Sequence, residues 1–218
     1  MTNNQLKKLI IIGAGGNAEV INSTIEDINQ DKKTFEVIGY LDDSAKEKSQ
    51  NIVGEVSKKN IEKYLMLQDV FFVWTLRSTN LREDIYSKFL KLEIPRTKFT
   101  NIIHQQSSIS KFSTLGIGIT IHPFVSIGPK TKIGDHVNIF SNSTIGHDTK
   151  LDDFSYVANN SSIGAYVQVL RGGYIGMNST IKERVKIKEW TIVGMSSVVL
   201  KDTEEKSTVV GNPAKKIR

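Results

Sequence analysis

Cysteine is absent from all 218 residues, which excludes a disulfide framework, a thiolate metal site and a cysteine nucleophile. Long apolar runs are missing too. The opening MTNNQLKK lacks the hydrophobic stretch of a signal peptide, and no segment has the length and apolarity of a bilayer span. These absences predict a cytoplasmic protein with no membrane span. Acidic residues are outnumbered, 23 against 29 basic, for a formal charge of +6. That balance suits a small anionic ligand such as a nucleotide, and equally a merely basic surface. It argues against nucleic acid, because the lysines are scattered rather than gathered with aromatics into a stripe.

What the chain has is a repeat. Isoleucine, leucine or valine stands at every sixth position from Ile109 to Val199, sixteen times without a slip. Four residues after each, the chain mostly places something small or β-branched, such as Ser113, Thr131, Ser143, Thr149, Ser161 and Ser179. A period of six belongs to neither a helix nor a flat strand. It is the mark of a hexapeptide β-helix, in which one aliphatic per short strand points inward. Three hexads close a triangular coil, so residues eighteen apart share a column, and one inner column is Ile109, Ile127, Ile145, Ile163, Ile181 and Val199.

Before the repeat the pattern alternates between strand and helix. Leu9–Ile12, Phe35–Leu41 and Val70–Thr75 read as strands. Ala18–Ile28, Ile61–Leu67 and Asn80–Leu92 read as helices, and Pro95 ends the last. The alternation predicts a small parallel, Rossmann-like sheet with helices on its faces. The domains expected are 1–104 (α/β), 105–200 (β-helix) and a tail, 201–218, that leaves the repeat after Val199 and carries a Gly211-Asn212-Pro213 turn unable to continue a strand ladder.

Gly13-x-Gly15-x-x-Ala18 falls between a strand and a helix, where glycine lets the backbone approach a diphosphate at the helix N-terminus. Asp42 and Asp43, at the end of the next strand, are placed to accept hydrogen bonds from a ribose or a base edge. A tight turn followed by a solvated acidic pair fits the same residues. About 100 residues are too few for both halves of a doubly wound dinucleotide domain, so a nucleotide-linked small molecule is the better expectation than a redox nicotinamide.

Of the four histidines, His104, His122 and His136 read as surface or turn residues, and their spacing does not suggest three converging zinc ligands. His147 differs because Asp148 follows it, and a carboxylate beside an imidazole fixes its tautomer and raises its basicity. Ala165 lies one coil beyond His147, with an amide available for an oxyanion. On its own, Gly-His-Asp fits a turn as well as a site.

In their order, Gly-Ala-Gly-Gly-Asn-Ala at 13–18, Gly-Tyr-Leu-Asp-Asp at 39–43, the unbroken hexads, Gly-His-Asp at 146–148 and Val-Gly-Asn-Pro-Ala-Lys at 210–215 are together distinctive. They resemble the bacterial sugar acyltransferases that N-acetylate UDP-bacillosamine precursors or GDP-perosamine, and the related sialic-acid O-acetyltransferase. The resemblance covers nearly the whole chain. It implies a homotrimer of left-handed parallel β-helices, an exception to the usual right-handed crossover, each preceded by a nucleotide-sugar domain. It further implies acetyl-CoA as co-substrate in a groove between neighbouring prisms, and no metal. His147 would be the general base, Asp148 its tuning carboxylate and the Ala165 amide the oxyanion donor. Tyr156, Met177 and Met195 would contact acetyl-CoA, while Gly15, Gly16, Asn17, Asp42 and Asp43 would meet the nucleotide-linked amino sugar.

The expected reaction is acetyl transfer to the 4-amino group of a nucleotide-linked 4-amino-4,6-dideoxyhexose, for O-antigen, capsule or glycoprotein glycans. O-acetylation of a sialic acid is the nearest alternative. A metal-dependent β-helix hydratase and a non-catalytic nucleotide-sugar-binding protein are the others. The chain departs from the family pattern at Asn17, often histidine there, at Ala165, often glycine, and at Tyr156, which replaces a polar acyl-CoA contact. It departs again over Trp74–Asn80, a loop expected near the nucleotide sugar, where Arg77 or Arg82 is a candidate for a phosphate.

Overall fold

The computed structural model describes residues 6–43, 51–76 and 82–218, which form two compact units divided at Ile102–Ile103. The first unit carries β1 (Lys7–Ile12), α1 (Gly16–Asp31), β2 (Phe35–Leu41), β3 (Ile52–Gly54), α2 (Lys58–Leu65), β4 (Val70–Trp74) and α3 (Arg82–Lys91). All four strands are parallel, in the order β3-β2-β1-β4. β1 is central, which explains its unbroken apolar run: Leu9 through Ile12 are fully buried, as strands covered on both faces must be. The short strand β3 carried no periodic signal. Helix α2 begins three residues before the expected Ile61, because the Ser57 side chain caps it by accepting the Asn60 amide.

The second unit is the left-handed parallel β-helix. Its two-residue strands stack into three parallel sheets, and each pairs with the strand eighteen residues on. Ile127, Ile145 and Ile163 sit directly over one another, as the column arithmetic expected. Two further contacts tie successive coils. Hydroxyls four residues after an aliphatic donate to carbonyls of the next coil, Thr131 to Gly146, Ser143 to Ala158, Thr149 to Gly164 and Ser161 to Gly176, at 2.9–3.0 Å. The second contact comes from the corners. Every sixth residue from Phe124 to Ser196 has positive φ, and Phe154, Tyr166 and Trp190 are among them. Such a conformation costs a bulky L-residue roughly 1–2 kcal/mol. It turns the amide back onto the preceding coil, as in Asp148 to the Pro129 carbonyl, Tyr166 to His147 and Arg184 to Ala165, at 2.9–3.0 Å. Apart from Gly172, glycine does not mark these positions, so nothing in the residue pattern announces them.

The segment expected to leave the repeat adds another rung instead. Thr208–Val210 pairs in parallel with Ile192–Val193, two residues short of the regular coil. Lys215–Lys216 then folds back antiparallel. Thr203 and Ser207 are buried beneath this rung, and the Thr191 hydroxyl donates to the Glu204 carbonyl at 2.8 Å.

Three histidines read as surface or turn residues do lie at turns, but not on the surface. His104, His122 and His136 are 3%, 1% and 6% exposed. Each ring is buried by the coil: His122 stacks on Phe140 at 4.3 Å and His136 on Phe154 at 4.8 Å. Burial, helped by the nearby His104, lowers the His122 pKa from 6.5 to about 4. The folded chain therefore keeps His122 neutral where the unfolded chain takes up a proton. Its contribution to stability is complete above pH 6.5 and is lost as the pH falls towards 4, by up to about 3 kcal/mol. Replacing His122 with Phe, which keeps the stacking, should flatten that part of the acid loss. Urea midpoints at pH 7 and pH 4.5 test this; an equal pH dependence in both proteins would contradict it.

Candidate functional site

The reactive side chains of the solenoid stand at its corners. Strand Thr144–Ile145 ends at Gly146, and Gly146-His147-Asp148-Thr149 form the bend into Lys150–Leu151. A Cβ on Gly146 would lie 2.6 Å from the Ala165 amide nitrogen, so only glycine lets the two coils close up here. Asp148 takes the left-handed conformation, φ 56°, and its Oδ2 lies 2.8 Å from His147 Nδ1. A carboxylate at Nδ1 holds the proton there and leaves the Nε2 lone pair as the available base. The imidazole is half exposed. The Tyr166 ring meets it edge-on at 5.2 Å, and the Arg184 guanidinium covers Tyr166 at 4.6 Å.

Tyr166 and Arg184 did not enter the sequence reading. Their signal was available, since they follow Asp148 in the same column one and two coils on. Ala165 is placed as expected: the next residue, Tyr166, donates its amide to the His147 carbonyl at 3.0 Å. The Ala165 N–H donates to no group among the described residues, and neither does that of His147. Position next to the imidazole is therefore what distinguishes Ala165.

Met177 and Met195 lie on the corner that follows the Tyr174–Ile175 and Ile192–Val193 strands, a different corner from that of His147. They are 43% and 65% exposed, unusual for methionine, and the Ser196 amide donates to the Met177 carbonyl at 2.8 Å. Tyr156 sits on the sheet face beside them, its ring 5.4 Å from Tyr174 and 4.7 Å from Phe140. With His122 these rings make an aromatic row along one sheet, unforeseen because it changes column midway, from the residues that follow their strands (His122, Phe140) to strand residues (Tyr156, Tyr174).

Alongside Asp148 opens a groove of about 540 Å³, bounded by Phe112, Lys130, Lys132, Lys150 and Gln168. Among the described residues, no three His, Asp or Glu side chains converge as a metal site requires.

In the first unit, β1 lies between β2 and β4, so successive strands are laid down on opposite sides of it. The crevice at the carboxyl ends of β1 and β4 is where open α/β sheets take ligands. The glycine loop occupies that crevice. Gly13 has φ 102°, and a Cβ there would come within 2.6 Å of Thr75 Oγ1. The Thr75 hydroxyl donates to the Ile12 carbonyl at 2.9 Å, closing the loop against β4. Gly15 caps α1 without a side-chain bond, and nothing lies within 4 Å of a Cβ built on Gly15 or Gly16. Together with half-buried Asn17 they present an open helix N-terminus.

Asp42 turns inward from this loop. It is 4% exposed and its Oδ2 accepts the Ala14 amide at 2.7 Å. Asp43 is exposed but engaged, accepting the Val56 amide at 2.9 Å and pairing with Lys88 of α3. Asp42 thus braces the loop, while Asp43 ties the segment between β3 and α2 to α3. Arg77 and the Arg82 side chain, the candidate phosphate ligands, fall outside the described residues, as do 78–80 of the divergent loop.

Comparison with known proteins follows the same division. Residues 100–218 match the family described as the GMPPB C-terminal domain, and residues 8–89 match the PglD N-terminal domain. No curated protein sequence matches. Among solved structures, the acetyltransferase domain of PglB from Neisseria gonorrhoeae, in complex with acetyl coenzyme A, has TM-score 0.81 at 20% identity, covering 98% of this chain and 100% of that one. A histidine-to-asparagine mutant of perosamine N-acetyltransferase from Caulobacter crescentus, with CoA and GDP-perosamine, has TM-score 0.80 at 22% identity, covering 96% of each. WeeI from Acinetobacter baumannii has TM-score 0.76 at 20% identity, covering 98% and 100%. At these identities the likeness establishes the fold.

Proposed function

The chain belongs, through residues 100–218, to the family of the GMPPB C-terminal domain, and on that premise we propose that it is an acetyl-CoA-dependent N-acetyltransferase. The acceptor is the 4-amino group of a nucleotide-linked 4-amino-4,6-dideoxyhexose, destined for surface glycan. The observation that carries the reading is the outward-facing His147–Asp148 pair, 2.8 Å apart, with the unengaged Ala165 amide one coil on. Similarity to the PglB domain that holds acetyl coenzyme A, and to the enzyme that holds GDP-perosamine and CoA, supports it.

The chemistry follows from the pair. The acceptor amine attacks the thioester carbonyl, a C–N bond forms, and the carbonyl π pair moves onto oxygen. The Ala165 N–H stabilises that oxyanion. His147 Nε2 takes the proton shed by the nitrogen, while Asp148 holds the imidazolium. Collapse breaks the C–S bond, and the departing thiolate recovers the proton from His147. Transfer is direct: the chain has no cysteine to carry the acyl group.

Tyr156, Met177 and Met195 take the donor. They lie away from the His147 corner, so donor and base meet where the aromatic face of one prism adjoins the His147 corner of another, in a homotrimer. At the crevice, Gly15, Gly16 and Asn17 receive the nucleotide diphosphate on the amides of α1. Asp42 holds the loop in shape for it.

His147→Ala should lower kcat by about 10²–10⁴-fold with the far-ultraviolet circular dichroism unchanged. A rate within a few-fold of wild type at saturating substrates would sink the base assignment. The product should be an amide and survive mild alkali. Release of acetate under those conditions would identify an ester and point to O-acetylation.

A further inference from the structure

We propose that Tyr166 is a positioning residue, whose ring stands between the Arg184 guanidinium and the Asp148 carboxylate so that the carboxylate stays on His147. The proposal rests on the acyl-transfer reading and gives a task to two side chains that reading leaves without one. Asp148, Tyr166 and Arg184 follow one another at a single corner, because the strands on either side of it pair in steps of eighteen residues. Two coils separate Arg184 from Asp148, about 10 Å at the backbone. An arginine and an aspartate side chain reaching towards each other close such a gap. A guanidinium is weakly hydrated and meets a carboxylate with two parallel hydrogen bonds, which an ammonium does not. Lys130, at the same corner one coil before Asp148, forms no ion pair with it among the described residues.

Arg184 takes the ring instead. Its guanidinium lies 4.6 Å from the Tyr166 centroid, and it forms no ion pair among the described residues. The same ring meets the His147 imidazole at 5.2 Å, nearly perpendicular to it at 82°. One aromatic side chain thus touches both the base and the cation, while Asp148 Oδ2 keeps its 2.8 Å contact with Nδ1. The Tyr166 hydroxyl makes no hydrogen bond among the described residues, so what the residue supplies is its ring. The corner itself needs no ring. Asp148, Tyr166 and Arg184 have φ of 56°, 59° and 66°, and the matching places on the corner before are held by Asn142, Asn160 and Asn178. Asparagine adopts that conformation more readily than tyrosine or arginine.

Tyr166→Gly removes the ring and suits the corner, since Gly172 adopts the same conformation at φ 64°. With the far-ultraviolet circular dichroism unchanged, it should lower kcat about tenfold or more and leave KM for both substrates in place, because the imidazole loses the carboxylate that fixes its tautomer. Tyr166→Phe, which keeps the ring, should retain the rate. Adding Arg184→Gln to Tyr166→Gly should restore most of it, since no guanidinium then competes for Asp148. A double variant as slow as Tyr166→Gly overturns the proposal. So does a raised KM with kcat kept, which would place the ring against a substrate. The tautomer gives a readout without turnover. Nitrogen NMR of the full chain carrying isotope-labelled histidine, at about pH 8 where an ordinary imidazole is neutral, reports which ring nitrogen bears the proton. The His147 signals, assigned by their loss in His147→Ala, should place it on Nδ1 in wild type and in the double variant, and on Nε2 in a larger share of Tyr166→Gly. An unchanged tautomer in Tyr166→Gly overturns the proposal whether or not the chain is active. The expected shift in a chain without acetyltransferase activity would sustain the role of Tyr166 and defeat the proposed function.

Discussion

Everything in the solenoid hangs on one constraint: each coil must lie over the last in a fixed register of eighteen residues. Backbone pairing sets the register, side-chain hydroxyls pin it from inside, and corner amides pin it from outside. The left-handed corners show how strongly it acts. A conformation that disfavours aromatic and charged side chains is repeated through Phe154, Tyr166, Arg184 and Trp190, because it delivers an amide to a carbonyl otherwise left bare. The geometry of the proposed site is a by-product. His147, Ala165 and Tyr166 are neighbours because the register leaves them no alternative.

Much of this was legible beforehand, for a physical reason. Interior positions of a β-helix see the same surroundings every turn, so their requirement is written into the chain at a fixed spacing. The Ile109–Val199 column and the placement of Ala165 beyond His147 followed from counting. Corners are different, since any residue can be forced into them, and the burial of His122 therefore left no mark in the chain; the aromatic row went unread because it shifts column between Phe140 and Tyr156. The tail misled because Gly211-Asn212-Pro213 does end a strand, but one that had already paired with Ile192–Val193. In the first unit the loop glycines were readable from their spacing. The tasks of Asp42 and Asp43 were not, because an acidic pair at a strand end looks alike whether it faces a ligand or an amide of its own chain.

The two units present polar groups in different ways. The α/β unit offers backbone amides at the end of one helix, kept open by glycine and shaped from beneath by Asp42. The solenoid offers side chains on a rigid lattice, where Lys132 and Lys150 are held side by side against their mutual repulsion.

The hexad and the coil obey different arithmetic, and this bears on how such a chain can change. Deleting a single hexad from the repeat would keep an aliphatic at every inward position and leave the interior filled. It would also turn every later residue through a third of a revolution against the coils before it, so that no pair straddling the deletion would still meet. Ala165 would leave the His147 corner although both residues remained in the chain. Length can vary in sixes without harm to the interior, whereas the chemistry survives only changes of eighteen.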